Sequence, residues 1–191
     1  DPSPSTDSPL AALVKDYPIQ SMNVVAHIRK ATQGDICLQN THPFQRELWG
    51  RYWVFAHNGN LIDFNPELSG RYLPVGNTDS EGAFCFLLDT LAQRFGATAP
   101  SYEHLMDTMA EVAAVLRAHG PANFLLSNGR WLIAHCSTDL HYVVRRAPFN
   151  QAHLKDEDVS IDFNEVTSET DCVTVIATTP LTDNEHWTRI E

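Results

Sequence analysis

Three short segments place polar side chains where an apolar run ends or a helix begins: AHIRKATQG at 26–34, AHNGN at 56–60 and GNTDSE at 76–81. Such positions are where a rigid scaffold exposes functional groups. Asn58 and Gly59 can supply a side-chain NH2 and a backbone N–H that converge on one developing negative oxygen, and a glycine lets a substrate come close to the main chain. The same dipeptide also reads as a type I′ turn. Arg29, in a mostly apolar run, carries a planar fork that grips a carboxylate through two parallel bonds. It reads equally as half of a structural ion pair, since acidic partners are plentiful. Asp79 offers a fixed carboxylate to an ammonium group, and an acidic residue there also suits the positive end of a helix whatever its function. Taken together these residues describe a pocket for an α-amino acid whose side-chain carbonyl is under attack, such as glutamine or asparagine. That set lacks a nucleophile. His27, His42 and His57 recur every 15 residues but form no HxH or HxxxH pair, so no metal site is read from them.

The elements that must position these groups follow from the hydrophobic pattern. Residues 22–29 and 52–57 read as strands with apolar residues on both faces, which is the pattern of a sheet covered on two sides. Residues 78–95 read as a helix: Thr78 and Glu81 have capping-box spacing, Ala83, Phe84, Leu87, Leu88, Leu91 and Phe95 form one stripe, and Gly96 supplies the stop. A second helix is expected from Tyr102 to His119, with Ser101 as its cap, Leu105, Met109, Val112 and Leu116 as its apolar face, and Gly120-Pro121 as its end. Strands are expected at 124–127 and 130–136 around an Asn128-Gly129 hairpin, and at 141–146, 159–163 and 172–178. Strands, then two adjacent helices, then strands again is not the alternation of a doubly wound sheet. It suits antiparallel sheets with helices packed on an outer face. Residues 1–9, with their three prolines and three serines, read as an extended leader.

Composition narrows the function. The 191 residues carry 13 Lys+Arg against 24 Asp+Glu, a net charge of −11, which disfavours nucleic acid and anionic lipid as partners. The longest apolar run is Ala83–Leu88, far short of the roughly 20 residues a spanning helix needs. Cys37, Cys85, Cys136 and Cys172 form no CxxC pair, so four reduced thiols in a cytoplasmic protein are expected.

AHIRKATQG, NTHPF (40–44), AHNGN and GNTDSE occur in this order and at similar spacing in class II glutamine amidotransferases, the N-terminal-nucleophile hydrolases. The chain most resembles their small stand-alone YafJ-like branch, and the likeness continues through SNGR, AHCSTDLHYVVRRAPF and TVIATTPLTDNEHW. The resemblance implies an α+β fold of one domain over 1–191, a four-layer αββα sandwich with two stacked, mainly antiparallel sheets between helical layers. It implies hydrolysis of the side-chain amide of glutamine or a γ-glutamyl compound, with release of ammonia and no cofactor. Arg29 resembles the residue that holds the glutamine carboxylate, with Thr32 and Gln33 lining the site from the same loop. His42 resembles the His of the family's His-Pro motif beside the pocket, Asn58 and Gly59 the oxyanion pair, and Asp79 the carboxylate for the α-amino group.

One departure bears on activity. The family's nucleophile is a Cys exposed as residue 1, with its own α-amino group as base, whereas this chain starts at Asp1 and has no Cys before Cys37. Cys37 has no free amine beside it. About 50 further N-terminal residues carrying that Cys, and a short C-terminal strand, are therefore expected. The alternative is a non-catalytic protein that keeps the pocket and binds an amino acid or a partner protein. The sequence leaves any ammonia-accepting partner unnamed.

Arg29→Lys replaces a two-bond fork with a point charge. It should raise the glutamine KM by the equivalent of about 1.5–3 kcal/mol, the scale of a charged hydrogen bond, with no change in melting temperature. An unchanged KM would return Arg29 to a structural ion pair.

Overall fold

The computed structural model describes residues 3, 7–17, 19, 21–28 and 35–191. Arg29, Thr32 and Gln33 lie outside the described residues, as do the end of the first expected strand and most of the expected leader. The chain divides into two compact units, residues 1–135 and 136–191.

The first unit opens with α1 (Pro9–Asp16), a helix not anticipated from the sequence. Its start signals were present: the Ser8 hydroxyl accepts from the Ala11 N–H at 3.1 Å, and proline takes the first turn. The last residue assigned to an extended leader is thus helical. Next come β1 (Phe44–Leu48), β2 (Arg51–Gly59), α2 (Asp79–Phe95), α3 (Tyr102–His119), β3 (Ala122–Ser127) and β4 (Leu132–His135). The four strands form one sheet in the order β1-β2-β3-β4, every neighbour antiparallel. β1 and β2 are joined by Trp49 and Gly50 alone, both at positive φ (56° and 72°), so this is the unit's tight two-residue hairpin.

One face of the sheet builds the core. Trp53, Phe55, Phe124 and Leu126 pack with Phe84, Leu87, Leu88 and Leu91 of α2 and with Leu105, Met109, Val112 and Leu116 of α3, all buried. Phe55 stacks flat on Phe84 at 5.2 Å between centroids. The helix stripes read from the sequence are the surfaces that meet this face.

Three local expectations are corrected. Residues 22–28 are not a strand. They keep the period of one, with Met22, Val24, Ala26 and Ile28 exposed and Asn23, Val25 and His27 half-buried, but the described structure pairs them with no ladder. Alternation reports which side a residue faces; a strand also needs a neighbouring edge to bond. Asn128-Gly129 does mark a hairpin, but with four loop residues between Ser127 and Leu132 rather than two. The Asn128 carboxamide oxygen accepts from the N–H groups of Arg130 and Trp131, both at 3.0 Å, and so spends the turn chemistry on an Asx turn. The capping box at Thr78 is half made. Thr78 Oγ1 accepts from the Glu81 N–H at 3.3 Å, but the Glu81 carboxylate turns away from the cap. It accepts from Val75 N (3.0 Å), Gly76 N (2.7 Å) and Arg46 Nη2 (2.5 Å) while only 1% exposed.

The second unit is β5 (His141–Arg146), β6 (Gln151–His153), β7 (Ser160–Asp162), β8 (Cys172–Ala177) and β9 (Thr188–Arg189). They form a three-stranded sheet in the order β8-β5-β9 and a β6-β7 pair, again antiparallel. The strand expected at 159–163 ends at Asp162, where a 3-10 turn over Phe163–Glu165 takes over. Arg145 grips Glu185 with two bonds (2.7 and 2.6 Å), Thr182 Oγ1 donates to the same carboxylate at 2.6 Å, and Trp187 Nε1 donates to Thr182 at 2.9 Å. The fork holds the Glu185 carboxyl below the usual carboxylate range. No helix among the described residues is long and apolar enough to cross a membrane.

Arg46→Met should leave the Glu81 carboxylate buried without its cation. Breaking such a pair from one side costs about 3 kcal/mol or more, readable in urea unfolding, and adding Glu81→Gln, which removes the charge, should recover part of the loss.

Candidate functional site

Asn58 and Gly59 are not a turn. They are the last two residues of β2, paired with Asn123 and Ala122 of β3, and neither has a positive φ. The turn reading fails because β3 supplies a ladder partner for both. Beyond them the Asn60 N–H donates to the Pro121 carbonyl at 3.2 Å. In an antiparallel ladder, successive residues bond to alternate sides. Asn58, like Asn60, therefore faces β3, and the Gly59 N–H points the other way. On that side β1 has ended, since its first pair is Phe44 with Phe55. Among the described residues no strand pairs with that side of Gly59, and both Asn58 and Gly59 are exposed. A Cβ at Gly59 would run into the Pro121 carbonyl oxygen and the His57 ring, so the protein's own packing demands glycine here, apart from any approach by a ligand.

Asp79 is tied to the segment just beyond. It is the first residue of α2, half-buried, and its Oδ2 accepts from the Leu61 N–H at 2.8 Å, two residues beyond the end of β2. Its neighbour Ser80 meets His57, whose Nδ1 lies 2.8 Å from Ser80 Oγ and whose Nε2 lies 3.4 Å from the Pro121 carbonyl. A carbonyl only accepts, so the neutral ring carries its proton on Nε2 and takes the serine proton on Nδ1. Ser80 Oγ is also 3.4 Å from Asp79 Oδ1. Burial holds the His57 pKa below its ordinary 6.5, against the pull of the Asp79 charge. His57 is thus a neutral support beneath the strand end, not a metal ligand paired with His27 and His42.

The NTHPF segment is bound into this frame by an amide pair. Asn40, 1% exposed, donates to Asn77 Oδ1 at 2.8 Å and to the Asp35 carbonyl at 2.9 Å, and it accepts from the Asn77 N–H at 3.0 Å. A side chain at Gly76 would strike the Asn40 amide oxygen, which explains the glycine before Asn77. His42 is buried and packed between the rings of His27 (4.2 Å) and Phe44 (4.5 Å). Asn58 and Gly59 end β2, Asp79 is tied to Leu61 two residues beyond Gly59, and His42 packs against His27 and Phe44 in its own segment. The structure adds Asn40, Asn77, Ser80 and His57 as the polar frame. All four stood inside the quoted motifs: Asn40 in NTHPF, His57 in AHNGN, and Asn77 and Ser80 in GNTDSE. Among the described residues no group of three His, Cys, Asp or Glu side chains is arranged to hold a metal ion.

The family model described as “Glutamine amidotransferases class-II” matches residues 1–191. The chain belongs to the class II glutamine amidotransferases. Over 190 residues, all of this chain and 74% of the other, it is 54% identical to “Putative glutamine amidotransferase YafJ” of Escherichia coli (strain K12). It is 51% identical over 185 residues to a “Putative glutamine amidotransferase” of Haemophilus influenzae, matching 96% of this chain and 62% of that one. Among solved structures, it is similar to the “predicted glutamine amidotransferase from Pseudomonas aeruginosa PA01”, with a TM-score of 0.72 and 52% identity over 80% of this chain and 60% of that one. This class II amidotransferase chain therefore spans less than two thirds of the length of two of the three relatives.

Because His57 is held neutral by burial, the unfolded chain binds its proton more readily than the folded one. The stability this lends is complete above the ordinary pKa of 6.5 and is lost as the pH falls through 6.5 toward the lower folded value. His135, also lowered by burial, adds a contribution of the same sign. Urea midpoints measured from pH 7.5 to 5 should fall with acidification, and His57→Asn should flatten part of that fall, to which His135 adds and which His153, raised by its bonds to Asp183 and Asp158, opposes.

Proposed function

We propose that this chain is the glutamine-binding and oxyanion-stabilising part of a class II amidotransferase that hydrolyses the side-chain amide of glutamine or a γ-glutamyl compound and releases ammonia. The observation that carries the reading is the bond from the Leu61 N–H to Asp79, which fixes a carboxylate at the segment that leaves β2 two residues after Gly59. In this reading Asp79 takes the substrate ammonium, and Arg29, with Thr32 and Gln33 beside it, takes the carboxylate. The side-chain carbonyl then lies where Asn58 and the Gly59 N–H converge, with His42 in the pocket wall. A thiolate attacking the carbonyl carbon creates a tetrahedral oxyanion, which the two donors stabilise more strongly than the planar amide. Collapse expels ammonia and leaves a thioester, which water cleaves to glutamate.

The thiolate of this reading belongs to an N-terminal Cys, whose α-amine serves as its base. Cys85 is unsuited to the role: burial within α2 pushes its thiol up to about 11. The four-layer αββα arrangement of a single domain is the fold we infer for the whole enzyme, and the cytoplasm its setting. The antiparallel sheets and the likeness to the Pseudomonas structure support that inference.

The test is a glutaminase assay on two forms of the protein: residues 1–191, and the same residues preceded by their native upstream segment from a processed Cys. Activity is expected in the longer form alone, and there Asn58→Ala should lower kcat by roughly 10²–10³ with little change in KM. Activity of residues 1–191 that disappears on Cys37→Ser would move the nucleophile to Cys37. Glutamine binding without hydrolysis in either form would favour a ligand-binding role instead.

A further inference from the structure

Asn123 stands directly opposite Asn58 in the β2–β3 ladder and is 5% exposed. It interrupts a strand whose other residues are Ala122, Phe124, Leu125, Leu126 and Ser127. A carboxamide at such a position costs free energy unless it is bonded. Its Nδ2 donates to the Asn58 carbonyl oxygen at 3.2 Å. That oxygen and the Gly59 N–H belong to one peptide group. The group is planar and trans, so the two point in opposite directions, and whatever fixes the oxygen also aims the N–H. A donor on the oxygen further polarises the peptide and strengthens the N–H as a donor in turn. The N–H in question lies on the side of β2 that no strand pairs among the described residues, beyond the Phe44–Phe55 pair that ends β1.

We propose that Asn123 is a positioning residue for the oxyanion site: through the Asn58 carbonyl it orients and polarises the Gly59 N–H. The inference rests on the reading of Asn58 and Gly59 as oxyanion donors. Asn123 touches no reacting atom. Its effect falls on the tetrahedral state, when charge develops on the oxygen, and spares the binding of the ground-state amide.

The experiment uses the full-length native protein and compares wild type with Asn123→Leu, which keeps the branched arrangement of heavy atoms and removes the donor. Asn123→Asp, which keeps the shape and sets a second acceptor against the Asn58 oxygen, is read in the same way if the leucine variant does not fold. Three quantities are measured: the melting temperature, kcat and KM for glutamine, and the affinity for the aldehyde analogue of glutamine, whose adduct with a thiolate carries a tetrahedral oxyanion. The expected result is a fall in kcat of about ten-fold or more, short of the 10²–10³ for deleting a donor outright, with KM within two-fold and the aldehyde weakened by the same factor as kcat. A purely structural role would lower the melting temperature without separating kcat from KM. Unchanged kcat in a folded variant, or a rise in KM alone, overturns this inference while leaving the amidotransferase reading intact. An inactive wild type overturns that reading and this inference with it.

Discussion

A single buried carboxylate organises the candidate site. Glu81 sits inside α2 with its side chain only 2% exposed, and a charge in that position persists only if every lone pair is answered. Arg46 answers it from β1, and the N–H groups of Val75 and Gly76 answer it from the incoming loop. The loop therefore has one path into the helix. That path brings Asn77 to Asn40, sets Thr78 as the cap and delivers Asp79 to the Leu61 N–H. The carboxylate that could have closed an ordinary capping box instead ties a strand, a loop and a helix together.

A second constraint is the unequal length of neighbouring strands. β2 runs to Gly59 while β1 begins at Phe44, opposite Phe55, so among the described residues the last part of β2 has a ladder partner on one side only. Unpaired main-chain N–H groups at a sheet rim are normally a liability. Here the segment just beyond the rim is held by Asp79, which accepts from the Leu61 N–H.

Much of this was legible in the sequence, for identifiable reasons. Both long helices were placed because their stripes, caps and glycine stops agree with one another, and agreement across levels is what specifies an element. Asn58, Gly59 and Asp79 stood out as polar residues at the ends of apolar runs, and the structure gives Gly59 a packing duty and Asp79 a main-chain bond that the sequence did not show. What stayed hidden depends on distant partners. The Thr78–Glu81 spacing was visible, but Arg46, 35 residues earlier, decides where the Glu81 side chain goes. Residues 22–28 carry the alternation of a strand but join no ladder among the described residues, and β1, with only five residues and a charged middle, gave little pattern to read. Asn123 shows its purpose only when set against Asn58, 65 residues away.

That last separation bears on when the site comes into being. The β1–β2 hairpin closes over two residues, and α2 and α3 are local structures joined by a short loop, so these parts have small loop-closure entropies. The pairing of Gly59 with Ala122 must enclose both helices before it rewards the chain. A ribosome releases both helices before β3 is available, so the rim of β2 gains its β3 partner only after α2 and α3 have been made.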